Sequence, residues 1–122
     1  EDVIVADDNR ISSPTLLDDV VSASKMLLEN NNKGIFHICG GISLSRYEFQ
    51  QLFSYVSPKY RKVSPSFYTI EKYNAVRPLN TSLISKKLHT LNWEPQTPAQ
   101  GLFNSFINLS KINQQMPCFS NS

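Results

Sequence analysis

Glycine is scarce in this chain: four residues in 122, at positions 34, 40, 41 and 101. No Gly-x-x-Gly-x-x-Gly run exists among them. That excludes the glycine turn which brings backbone donors and a helix N-terminus onto a dinucleotide pyrophosphate. Cysteine is scarcer still, with only Cys39 and Cys118, far apart in sequence. One disulfide between them is open, but the reading they favour is a reduced cytosolic pair. No apolar run approaches the ~20 residues needed to cross a bilayer. The opening residues show no signal-peptide pattern, so the acceptor-like strings Asn80-Thr81-Ser82 and Asn108-Leu109-Ser110 read as chance matches. Charged residues make up 18% and the net charge is +2, which implies neither a nucleic-acid partner nor a membrane surface.

What is present suits one globular domain or part of one, with 40% hydrophobic residues. Val3-Ile4-Val5-Ala6 reads as a buried strand followed by an Asp-Asp-Asn turn. A lone strand at the start needs neighbours, which fits a piece of a larger sheet-containing protein. Ser12-Ser13-Pro14-Thr15 supplies a helix start, and apolar residues from Leu16 to Leu28 give the helix its periodicity. Asp18 and Asp19 fall in its first turn, and Asn30-Asn31-Asn32-Lys33-Gly34 stops it. Ile35–Cys39 is β-rich and predicts a strand closed by Gly40-Gly41. Ser43 or Ser45 caps the next helix, whose stripe is Tyr47, Phe49, Leu52, Phe53 and Val56, ending at Ser57-Pro58. Residues 59–76 have no clear period and read as an irregular connection with strand-like pieces such as Phe67–Ile70. Two helices follow, about 82–91 and 97–112, separated by Asn92-Trp93-Glu94-Pro95. The fold class is therefore α/β, with about four helices and few strands, too few for a self-sufficient doubly wound sheet. Residues 1–112 form the folded segment and 113–122 a frayed tail.

Four strings in order carry a family resemblance: SPTLLDDVV at 13–21, KGIFHICGGISLSRYEF at 33–49, RPLNTSL at 77–83 with Lys87-Leu88, and NWEPQTPAQGL at 92–102. Together they resemble the C-terminal substrate-binding lobe of the extended short-chain dehydrogenase/reductases, nearest to the dTDP-4-dehydrorhamnose reductase branch. Asn92, where glycine is common before the Trp, and Ile84-Ser85 and Arg10-Ile11 depart from that branch's pattern. The resemblance implies a parent that reduces a 4-keto nucleotide sugar with NADPH or NADH, and a missing N-terminal Rossmann half that would hold the cofactor and the catalytic residues. It implies a nucleotide-diphosphate sugar as ligand and leaves a homodimer open. The same strings are similar to the regulatory beta subunit of methionine adenosyltransferase, which binds a catalytic partner. A sugar-nucleotide epimerase or dehydratase is disfavoured by Ser-Pro-Thr.

The residues themselves give no catalytic set and no cofactor site. The superfamily's Tyr-x-x-x-Lys pair belongs upstream of the Ser-Pro-Thr helix, whereas Tyr55…Lys59 and Tyr68…Lys72 both lie downstream. They read as apolar rings with solvated lysines, and this chain alone is expected to be inactive. Arg77 is the substrate-binding candidate: the resemblance implies that an arginine in this Arg-Pro segment reaches toward the substrate diphosphate, a task that suits a guanidinium's planar fork, with capping a carbonyl or pairing with a nearby acid as its alternative. Asn80 is a second, with a capping role as its alternative. Lys86 and Lys87 read as solvated surface, and Lys59, Arg61 and Lys62 as a small basic loop. His37 and Cys39 share a strand face but lack the further ligands of a metal site, so they read as core. Trp93 is expected to pack the hinge between the last two helices, with Pro95 fixing the turn.

Overall fold

The computed structural model describes residues 3–67 and 75–115. The elements run β1 (Ile4–Asp7), β2 (Ile11–Ser12), α1 (Leu17–Glu29), β3 (Leu44–Ser45), α2 (Arg46–Val56), β4 (Val63–Ser66), α3 (Lys86–Thr90) and α4 (Pro98–Gln115). This is a small α/β unit of four helices and short strands, as the sequence predicts. The strands make two separate two-stranded sheets, β1 with β4 in parallel and β2 with β3 antiparallel.

The strand β4 lies inside the stretch expected to be irregular. Pro65 disguises it, because proline cannot donate to a ladder. The register resolves the conflict. Ile4 N donates to Lys62 O and Asp8 N to Ser66 O, so the even-numbered residues of β4 face β1. Pro65, one step out of phase, turns its nitrogen away from the partner.

Helix α1 begins three residues later than the Ser-Pro-Thr string suggests. Leu16 is its N-cap, without a side-chain hydrogen bond. The expected capping hydroxyls are engaged elsewhere: Ser13 Oγ accepts from Leu83 N at 3.0 Å, and Thr15 Oγ1 accepts from Gly40 N at 3.0 Å. Gly40 is required there, since a Cβ would stand 1.9 Å from Pro14 O. Helix α2 uses Ser45, not Ser43, in a full capping box with Glu48.

No strand forms at 35–39. These residues carry strand chemistry but find no ladder partner among the described residues. Phe36 and Ile38 pack against the core of Ala23, Leu88 and Trp93, while Cys39 is buried on the alternate side. His37 is exposed, which corrects its assignment to the core.

Helix α3 has five residues in place of the expected ten. Asn80 Oδ1 accepts from both Ser82 N (2.9 Å) and Ser82 Oγ (2.6 Å), and Ser85 Oγ is held by Cys39 N (3.0 Å). These local bonds compete with the first helical turn. Helix α4 opens at Thr97, whose Oγ1 accepts from Gln100 N while Gln100 Oε1 accepts from Thr97 N, and it runs three residues past the expected end. Cys118, Tyr68…Lys72 and the rest of the expected tail lie outside the described residues.

Trp93 fastens the hinge as expected. It is buried, and its Nε1 donates to Ser22 Oγ at 3.1 Å. Asp19, read as a first-turn charge, is buried and accepts from Gln96 N at 2.9 Å, which ties the Trp-x-Pro break to α1. The α2 stripe is only partly covered: Phe53 meets the tilted ring of Phe106 on α4 at 5.2 Å between centroids, yet Phe53 stays partly exposed, as does Phe103.

Candidate functional site

The site grows from the turn after β1. Asp7 Oδ1 accepts from Asn9 N at 2.7 Å and Asp7 Oδ2 pairs with Arg10 Nε, so the turn folds around one buried carboxylate. Burial works to raise that carboxyl's pKa. The donors from Asn9 and Arg10 outweigh it and hold the pKa below its ordinary value.

Ile11, next along, is stitched on both edges. On one side it pairs with Ser45 across β2 and β3. On the other, Ile11 N donates to Leu79 O at 2.8 Å and Thr81 N donates to Ile11 O at 2.9 Å. Ser45 Oγ then donates to Asp8 Oδ1 at 2.7 Å while accepting from Glu48 N. This seam brings the first residue of α2, Arg46, and the residue two before Leu79, Arg77, to the same cleft as Arg10.

The three arginines and Asp7 line a cleft of about 460 Å³. Ile11, Pro14, Phe49 and Pro78 give it an apolar wall, and Ser12, Ser45 and Thr81 add hydroxyls. A second cleft of about 460 Å³ adjoins it, lined by the same four charged residues together with Gln50, Ser66 and residues of β1. Guanidiniums converging on a partly apolar cleft can bind a phosphorylated ligand carrying an uncharged ring.

Of the residues singled out from sequence, Arg77 lies in both clefts. Asn80 lines neither; its side chain closes its own turn on Ser82, and its backbone bridges to Ile11. Lys87 donates to Ile35 O at 2.8 Å and sits 5.3 Å over the Phe36 ring, so it braces the 35–39 segment. Lys59 and Arg61 line a separate hollow of about 280 Å³ with Phe53 and Ser54. Tyr55 is exposed and stacks on Tyr60. Sequence reasoning missed Asp7, Arg10 and Arg46. The available signals were an Asp-x-Asn-Arg turn closing a strand, and an arginine directly after a capping serine.

The described residues do not fit a dinucleotide. Helices α1 and α2 begin at Leu16 and Ser45, and α4 at Thr97-Pro98, none on a glycine turn. No cluster of three or more metal-type side chains forms among the described residues. No described helix is long and apolar enough to cross a membrane.

No family model and no curated protein matches the chain. Solved structures do. A dTDP-4-dehydrorhamnose reductase from Bacillus anthracis in complex with NADP superposes with a TM-score of 0.76 at 24% identity, covering 88% of this chain and 39% of that one. A dTDP-4-dehydrorhamnose reductase from Clostridium acetobutylicum gives 0.77 at 20%, covering 91% and 40%. RMD from Pseudomonas aeruginosa complexed with NADPH gives 0.62 at 17%, covering 83% and 33%. At these identities the likeness is one of fold, and the chain spans two fifths or less of the structures it matches.

Proposed function

We propose that this chain is the C-terminal substrate-binding segment of a cytoplasmic protein like the dTDP-4-dehydrorhamnose reductases. Its parent would reduce a 4-keto nucleotide sugar with NADPH or NADH. The segment holds the nucleotide diphosphate, chiefly through Arg77, and an N-terminal Rossmann half supplies the cofactor site and the reacting groups. The observation that carries this reading is the convergence of Arg10, Arg46 and Arg77 on one cleft. The fold likeness to reductases supports it. The absence of a glycine turn from the sequence supports the division of labour between the two halves.

Calorimetric titration of the 122-residue chain with dTDP-glucose tests the binding half of the proposal. Binding is expected, and Arg77→Ala is expected to weaken it at least about tenfold, the loss of one charge-assisted hydrogen bond. Mixing the chain with NADPH and a dTDP-4-keto sugar is expected to leave NADPH absorbance unchanged. A chain that ignores dTDP-glucose, or that oxidises NADPH unaided, overturns the proposal.

A further inference from the structure

The two clefts meet at one charged quartet. Asp7, Arg10, Arg46 and Arg77 line both, and no other charged residue among the described ones lines either. Each of two hollows therefore abuts the same charges. A ligand that fits this arrangement carries its phosphates in the middle and an uncharged group at each end. A diphosphate diester has that form; a free nucleoside diphosphate ends in a phosphate and has only one arm.

Charge points the same way. Among the described residues, three guanidiniums against one carboxylate leave two positive charges. A diphosphate diester carries two negative charges. A nucleoside diphosphate approaches three at neutral pH, because a terminal phosphate loses its second proton near pH ~6. Asp7 is built into the site. It is buried, it is anchored by Asn9 N and by Arg10 Nε, and it stands in the lining where an extra phosphate charge would meet it.

We propose that Asp7 determines specificity in this cleft, tuning the arginine cluster to a diphosphate diester and against a free nucleoside diphosphate. This rests on the reading of the cleft as a nucleotide-diphosphate site. Asp7 acts by its charge. Asp7→Asn keeps an oxygen to accept from Asn9 N and removes the negative charge, raising the cleft to three. Arg46 makes no ion pair among the described residues, so Arg46→Gln lowers the cleft to one without stripping another group of its partner.

The measurement is the ratio of affinities for dTDP-glucose and dTDP, taken by calorimetry at pH 7.5 on the full chain. Wild type is expected to favour dTDP-glucose. Asp7→Asn is expected to shift the ratio toward dTDP by about tenfold, the order of one charge contact screened by water. Arg46→Gln is expected to shift it the opposite way. Asp18→Asn changes the net charge of the chain equally, but Asp18 is exposed on α1 and lines neither cleft, so its ratio is expected to stay at the wild-type value. Far-ultraviolet circular dichroism confirms that each variant folds, and if Asp7→Asn does not, Arg46→Gln and Asp18→Asn decide. A wild-type preference for dTDP, or one ratio across the folded variants, overturns this inference and leaves the binding reading intact. Failure of both ligands to bind overturns both.

Discussion

Asp7 couples the turn after β1 to pH. Its folded-state pKa lies below the ordinary value, with burial opposed and outweighed by the Asn9 and Arg10 donors. A depressed carboxylate stabilises the fold fully above its unfolded pKa of about 3.9, and that contribution is lost as pH falls through the folded value. Thermal melts from pH 6 down to pH 2 are expected to show a drop in midpoint below pH ~4 for wild type. Asp7→Asn should be less stable at pH 6 and lack this part of the acid slope. Parallel slopes for the two proteins contradict the assignment. The same residue shows what sequence can and cannot reveal at this scale. Arg77 stands out because it sits in a recognisable string. Arg10 and Arg46 do not, because their partnership with Arg77 depends on hydrogen bonds between segments more than thirty residues apart in sequence.

At the scale of elements, two helices end in the same way. After α1, Asn31 has φ 52°, Asn31 N donates to Leu28 O and Asn32 N to Leu27 O. After α3, Asn92 has φ 60°, Asn92 N donates to His89 O and Trp93 N to Leu88 O. Both are Schellman motifs, and the second adds the apolar contact between Leu88 and Trp93 that often accompanies it. The Asn-rich run after α1 announces its stop, and Asn92 in a glycine-favoured position announces the other. Asn92→Gly is expected to hold or slightly raise stability. Asn92→Val, which must enter the left-handed region with a branched Cβ, is expected to cost about 1–2 kcal/mol in urea unfolding. Equal stability of the two variants would remove the motif from the argument. Where sequence reading fails, a competing local bond is the cause. Ser13, Thr15 and Ser85 have the chemistry of helix caps, yet each binds a loop distant in sequence instead. Residues 35–39 have the chemistry of a strand, and strand formation needs a neighbour as well as propensity.

For the whole molecule, the balance of buried and exposed apolar side chains is the telling quantity. Among the described residues the buried apolar set is small, Ala6, Ala23, Cys39, Leu88 and Trp93, while Leu17, Val21 and Leu28 form an exposed stripe along α1. Such a surface calls for a cover, and under the proposed function the Rossmann half supplies it. The isolated chain is therefore expected to bind the dye ANS under native conditions and to melt at low temperature. Addition of the Rossmann half in trans is expected to suppress the dye signal and raise the midpoint. A chain that excludes the dye and melts sharply on its own argues against the missing cover. Fold class and the order of the four described helices were legible from periodicity and stop signals, since these are local. The strands β2, β3 and β4, the pairing of β1 with β4 and the convergence of the arginines were not, because all depend on long-range register.

The double stitching of Ile11 has a kinetic consequence. It joins residues 11, 45 and 80, so the seam closes only after two long loops have found their ends, each an entropic toll taken before any contact forms. Helices α1 and α2 can gather their own turns early, whereas the cleft is assembled late and as a unit. Late assembly means early loss on unfolding: the cleft comes apart before the helices. A diphosphate bound as proposed, spanning all three segments, would act as the clasp that slows their parting.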